Sequence, residues 1–186
     1  MNTAVIFNAT NTSGKEHLKT RIYDALDVAR FLINYCYAED IYLSNLKLQK
    51  VLYFIQLQFL QINPQKPCFK ELMTATSFGP ICKPVYREFL RYGSHWIPQV
   101  KSYYINKDNI WYLKKVEYND NVLLPQDKEE IINVLFQCDT YSTTQLTQIS
   151  KNQYPNEYSF QRHSKDNFIA NESLLKFLQL INGGKK

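Results

Sequence analysis

Asn45-Leu46-Lys47-Leu48-Gln49-Lys50-Val51-Leu52-Tyr53-Phe54-Ile55-Gln56-Leu57-Gln58-Phe59-Leu60-Gln61-Ile62 is the stretch that decides the fold. It holds no glycine or proline, Ser44 stands ready to cap its start, and Pro64 follows its end, so it reads as one helix. At about 100° per residue, Leu48, Val51, Leu52, Ile55, Phe59 and Ile62 form one wide apolar face. Leu46, Tyr53, Leu57 and Leu60 form a second face on the opposite side. Lys47, Lys50, Gln58 and Gln61 share one polar stripe between them, and Gln49 and Gln56 a narrower one. A helix apolar on two opposed sides has to be covered twice, so the pattern predicts the central element of a bundle.

Outward from this helix, most segments repeat the helical period. Ile22, Leu26, Ala29, Ile33 and Cys36 recur at spacings of four and three and mark one buried face. Beyond Pro64 and Pro67, residues 69–78 are compatible with a short helix or an extended strand. Phe78-Gly79-Pro80 signals a turn. Pro84 suits the first position of a helix whose Val85, Tyr86, Phe89 and Leu90 face the core, with Gly93 as its stop. The β-prone runs Val100–Ile105 and Ile110–Val116 flank Asn106-Lys107-Asp108-Asn109 and suggest a hairpin. Pro125 with Asp127, Glu129 and Glu130 opens a further helix, its buried side supplied by Ile131, Ile132, Leu135 and Phe136. Ser142-Thr143-Thr144-Gln145 matches a capping box ahead of Leu146 and Ile149. A loop is expected around Tyr154-Pro155-Asn156. Asn171 caps a last helix bearing Leu174, Leu175, Leu178 and Ile181, with Gly183 and Gly184 as its end. The expectation is a mainly α, single-domain bundle of about six helices around a central buried helix, with a β-hairpin near 100–116. Residues 1–20, a mixture of Asn, Thr, Ser, Gly and Lys, read as a poorly ordered arm ahead of a domain spanning 21–184.

With 186 residues, 45% hydrophobic and 15% aromatic, the chain can close a sizeable core, which excludes wholesale disorder. Only five glycines are present, and neither a Walker A nor a GxGxxG pattern occurs, which argues against a glycine-rich phosphate cradle. No apolar run approaches the roughly 20 residues of a membrane span, and Ala4–Phe7 falls short of a secretory leader. Cys36, Cys68, Cys82 and Cys138 lie far apart with no CxxC pair, so neither a disulfide framework nor a zinc cluster is expected, and a reducing cytoplasm fits best. The net charge is +5. Residues 1–93 carry 11 basic and 7 acidic side chains, so most of the excess lies in the first half. That invites an acidic partner but falls short of a nucleic-acid-binding stripe.

The chemistry inventory is thin. His17, His95 and His163 are widely separated in polar or turn-like surroundings, without a GxSxG elbow or an HExxH pair. A hydrolase would rest on those histidines alone. The pairs Asp24/Asp27 and Glu129/Glu130 read as helix-start charges or solvated faces. No catalytic residue, metal ligand or cofactor site is assigned, and the chain reads as a non-enzyme.

Two segments together carry a resemblance. Residues 45–54, Asn-Leu-Lys-Leu-Gln-Lys-Val-Leu-Tyr-Phe, follow a helix containing Ala29-Arg30-Phe31-Leu32. The second is Ala75-Thr76-Ser77-Phe78-Gly79-Pro80-Ile81-Cys82-Lys83-Pro84-Val85-Tyr86. In order and spacing they resemble the Panacea domain, the family of SocA-like antitoxins and GepA-type phage-associated proteins. The match is good over 22–93, with a weaker echo at Leu146–Tyr154 and Ile169–Phe177. Val51 stands where the family prefers leucine, Ile81-Cys82-Lys83 where it prefers valines, Ser150-Lys151 in place of a threonine-histidine pair, and Tyr154 in place of a tryptophan. On this resemblance Leu46, Leu48, Gln49, Leu52, Tyr53, Phe78, Gly79, Pro80, Pro84 and Tyr86 are the motif residues. The resemblance implies a cytoplasmic bacterial or phage-encoded antitoxin. It would neutralise a cognate toxin by direct contact, in some members also delivering it to a protease, without a metal or organic cofactor.

The residues themselves offer candidate contacts. Lys83, Arg87 and Arg91 form a basic stripe, to which Lys47 and Lys50 add unless their stems pack on aromatics and their ammonium groups meet carbonyls. Tyr104 and Trp111, with Tyr103 and Tyr112, supply aromatic anchors or cover a core edge. Gln49 and Tyr53, if buried, must satisfy their polar atoms and so fix helix packing. A nucleic-acid-binding regulator using the same cations and aromatics is the alternative.

Overall fold

The computed structural model describes residues 21–106, 113–161 and 167–183. The fold is mainly α. Seven α-helices are described: α1 (Ala25–Ala38), α2 (Asn45–Ile62), α3 (Lys83–Glu88), α4 (Pro125–Asp139), α5 (Thr143–Lys151), α6 (Tyr154–Gln161) and α7 (Asn171–Gly183). Four strands, β1 (Met73–Thr74), β2 (Ser102–Asn106), β3 (Leu113–Glu117) and β4 (Phe168–Ile169), pair antiparallel as β1 with β4 and β2 with β3.

Helix α2 is the axle. It packs against α1, α3, α4, α5 and α7, and everything from Lys47 to Leu60 is buried. The two apolar faces are covered along most of their length, except that Ile62 at the helix end is exposed and Leu46 at its start is only partly buried. The polar stripes between them are covered as well, so α2 has almost no solvent face. Lys47, Gln49, Lys50, Gln56 and Gln58 are each satisfied from a distant segment, as burial demands, while Gln61 Oε1 is buried with no hydrogen-bond partner among the described residues. Gln56 exchanges two hydrogen bonds with the backbone of Phe69, donating at 3.1 Å and accepting at 3.3 Å. Gln58 donates to Glu130 at 2.6 Å. Ser44 caps the helix start, accepting from the Lys47 amide at 3.4 Å.

Several expectations are corrected. Ile22 precedes α1 and is half-exposed, because the helix begins after Asp24. Of the two conformations left open for residues 69–78, the strand forms, but only over Met73–Thr74: β1 bonds β4 on one side, and Thr74 bridges Ile81 on the other. On α4, Val134 and Cys138 join Ile131 and Leu135 inside while Phe136 stands half-exposed. Asp127, read as a helix-start charge, is buried and accepts a hydrogen bond from the Tyr23 hydroxyl. Desolvation raises the pKa of both groups. The hairpin forms, but Asn106, expected in its turn, is the last residue of β2 and pairs with Leu113. The expected loop near Tyr154 is helix α6, whose first turn accepts Pro155 because no amide bond is needed there. The expected capping box is present: Ser142 accepts from the Gln145 amide at 3.2 Å, and the Gln145 side chain accepts from the Ser142 amide at 2.8 Å.

Candidate partner-binding groove

The sequence places lysine at position 50 on a polar stripe, and the fold buries it completely. Its ammonium donates to the carbonyls of Phe78 at 2.5 Å and Pro80 at 3.0 Å, the two residues flanking Gly79. Burial pulls its pKa from 10.5 to about 7. Gly79 has φ of +83°, and a Cβ there would lie 2.8 Å from Ser150 Oγ and 3.1 Å from Lys50 Nζ. Both conformation and space therefore require glycine. Thr76 closes the same turn, accepting from the Gly79 amide and donating its hydroxyl to the Gly79 carbonyl at 2.7 Å. Asn156 of α6 holds it from outside, its amide donating to the carbonyls of Thr76 at 3.4 Å and Lys151 at 3.2 Å.

Gln49 and Tyr53 fix packing in the same way. Gln49, fully buried, accepts from the Cys82 amide at 2.9 Å and donates to Asn45 at 3.0 Å. Asn45 in turn donates to the Tyr86 carbonyl at 3.0 Å. Tyr53, also fully buried, donates to Gln153 at 2.7 Å. Leu48 and Leu52 lie in the core. The motif residues of α2 thus bind the turn and the start of α3 to the central helix.

What this scaffold presents to solvent is a groove of about 610 Å³ between the start of α2, the turn and α3. Tyr42, Leu46, Phe78, Ile81, Tyr86 and Leu90 supply its apolar walls. Phe78 is 65% and Leu90 52% exposed. Leu90 was expected in the core. The α-helical register stops at Glu88 and passes into a 3-10 turn over Leu90–Tyr92, which rotates Leu90 outward. Pro84 sits exposed in the first turn of α3.

The candidate contact residues separate. Lys47 is buried and pairs with Asp139 at 2.5 Å, so neither it nor Lys50 lies on an open surface. Lys83 is half-buried with its ammonium 5.2 Å above the Phe168 ring. Arg87 is exposed, and Arg91 lies over Tyr92 and donates to its hydroxyl at 2.7 Å. Arg91 and Tyr104, the latter 61% exposed, line a second groove of about 650 Å³ on the other side of the Leu90–Tyr92 turn. Tyr103 lies under the Arg30 guanidinium at 3.5 Å and so covers a core edge. Trp111 and Tyr112 lie outside the described residues. Sequence reasoning missed Tyr42, Leu90 and Asn156 as parts of the site; the Tyr86/Leu90 spacing of four was the available signal.

Among the described residues, no group of three or more His, Cys, Asp or Glu side chains is placed to hold a metal ion, and no helix is long and apolar enough to cross a membrane. All four cysteines are buried and unpaired. His95 is exposed in a turn; His17 and His163 lie outside the described residues.

Comparison with known proteins places this geometry. A family model described as "Antitoxin SocA-like, Panacea domain" matches residues 48–155, more than half of the chain. Antitoxin SocA of Caulobacter vibrioides (strain NA1000 / CB15N) is 40% identical over 74 residues, a match covering 40% of this chain and 39% of that relative's length. No solved structure matches. The region matched by the family model holds α2 from Leu48 onward, the lysine-held turn, α3 and both grooves' α3 walls, and on that match the chain belongs to the SocA-like antitoxin, Panacea-domain family.

Proposed function

We propose that this chain is an antitoxin that neutralises a cognate toxin by direct protein–protein binding, with the domain spanning 21–184 as the binding unit and no reaction chemistry of its own. The observation that carries the reading, beside the family match, is the ridge formed by α3 and the Leu90–Tyr92 turn. It stands between two grooves and exposes Arg87 and Leu90, with Phe78 and Tyr104 on either side. Exposed apolar and aromatic groups ringed by cations are the ordinary makings of an interface centre. A standard interface would bury roughly 1,600 Å² in all.

The test is co-expression with the product of the adjacent gene. Growth rescue by the wild type is expected, and no rescue by any form would overturn the antitoxin reading. Reversal of Arg87 and Arg91 to Glu should weaken rescue while circular dichroism shows an intact fold; full rescue would remove the ridge from the proposal and leave the function. Delivery of the bound toxin to a protease is a separate step, read from the toxin's half-life on co-expression. The nucleic-acid alternative loses support from the burial of Lys47 and Lys50, two of the five cations on which it drew. It still makes a distinct demand: binding that weakens steeply with salt as counterions are released.

A further inference from the structure

We propose that the groove between α2, the Phe78–Pro80 turn and α3 takes an amphipathic α-helix of the partner protein, apolar on the side that enters and acidic along the flank beside α3. The inference rests on the antitoxin reading and adds the chemistry of the toxin segment that is bound.

Three observations lead there. First, most polar groups of the lining are already engaged inside the chain. Ser44 Oγ accepts from the Lys47 amide, Asn45 bonds Tyr86 and Gln49, Thr76 Oγ1 serves both Gly79 and Phe78, and the Tyr42 hydroxyl donates to the Ser94 carbonyl. What remains for a ligand is mainly apolar wall, beside the hydroxyls of Tyr86, Ser94 and Thr143, so the entering side chains are mainly apolar.

Second, the groove offers no strand edge. Thr74 and Ile81 bond each other's backbone in both directions, at 2.7 and 2.9 Å, and β1 is paired with β4 on its other side. An extended peptide would leave its own amides and carbonyls unpaired against an apolar wall, which is costly. A helix satisfies its backbone internally and presents apolar anchors at i, i+4 and i+7.

Third, α3 carries two cations beside its groove-lining Tyr86, and neither is in a salt bridge among the described residues. At about 100° per residue, Lys83 and Arg87 follow Tyr86 round the surface of α3. Carboxylates on the partner's flank would meet them, setting register and association rate more than affinity.

The experiment uses the full chain in complex with the product of the adjacent gene, with the photo-crosslinker benzoylphenylalanine replacing Phe78 or Leu90 and, as control, the exposed Leu180 of α7. Crosslinks from 78 and 90, but not 180, should map to one toxin segment with apolar residues at helical spacing and acidic neighbours. A synthetic peptide of that segment should lose about tenfold or more in affinity for Leu90→Asp. It should lose a smaller, salt-sensitive amount for Lys83→Glu/Arg87→Glu. Crosslinks to a segment of alternating polarity, or undiminished peptide affinity for Leu90→Asp, would overturn the inference. A complex that forms and rescues growth without crosslinks from 78 or 90 overturns it while leaving the antitoxin function standing. A partner that neither binds nor is neutralised removes both.

Discussion

Lys50 brings a cation into the centre of the molecule, and the arrangement around it explains why the turn has the composition it has. Two carbonyls must converge on one ammonium, so the chain between them has to curl tightly. Gly79 at φ of +83° supplies that curl where a Cβ would strike Ser150 and Lys50. Gly79→Ala should therefore destabilise by about 2–3 kcal/mol, the sum of a left-handed backbone penalty and a steric one. In urea unfolding, Gly79→Ala/Ser150→Ala should recover part of that loss and not all of it, because only the clash is relieved. Lys50 itself makes stability depend on pH. Its folded-state pKa is depressed to about 7 from 10.5, so above 7 the unfolded chain holds the proton more tightly and folding gains with rising pH. Between pH 7 and 8 this contributes about 1 kcal/mol; nearer 8.5 the thiols of the unfolded chain begin to ionise while burial holds Cys36, Cys82 and Cys138 up at about 12 in the fold, which offsets the gain. Denaturation of wild type and Lys50→Met at the two pH values checks it: the rise belongs to the wild type, and an equal rise in both would assign it elsewhere. The sequence shows Lys50 on a polar stripe and allows carbonyls as its partners. It does not show which carbonyls, because Phe78 and Pro80 lie 28 and 30 residues away.

Elements were legible where their cause is local. The double apolar face of α2, the caps at Ser44 and Ser142, the proline starts of α3 and α4 and the two hairpin runs all depend on residues within a turn or two of one another. Where the cause is tertiary, local reading fails. The polar stripes of α2 look solvent-facing until Phe69, Cys82, Glu130 and Asp139 arrive from 13 to 92 residues away to satisfy them. Leu90 looks like the next core residue after Phe89 until α3 tightens into a 3-10 turn and swings it into the groove. Leu46, Phe78 and Tyr86 stand out as motif residues, but Leu46 reads as part of a face to be covered and Tyr86 as core, so their position on the groove wall is as hidden as that of Leu90. The capping box gives a prediction at this scale. Ser142→Ala removes the acceptor for the Gln145 amide and should cost about 1 kcal/mol. Amide exchange should rise chiefly at the start of α5, and protection unchanged there would mean that packing of Leu146 alone holds the helix.

At the scale of the molecule, one helix touching five others makes stability a shared property. Leu52 is fully buried midway along α2, and α2 packs on α1, α3, α4, α5 and α7, so a cavity there has no single neighbour to loosen. Leu52→Ala should cost about 3 kcal/mol and lower the unfolding midpoint equally by every probe. The same truncation at Leu180, 65% exposed on α7, should stay within about 0.5 kcal/mol. Hydrogen exchange separates this shared dependence from a looser assembly. If α2 unites the bundle, Leu52→Ala raises exchange in the slowest amides of α1, α4 and α7 by a common factor, because those amides open only with the whole. A rise confined to α2 and one neighbour would mean the helices are held pairwise. The turn and groove would then owe their shape to the local hydrogen bonds of Lys50, Gln49, Asn45, Thr76 and Asn156 rather than to the core beneath them.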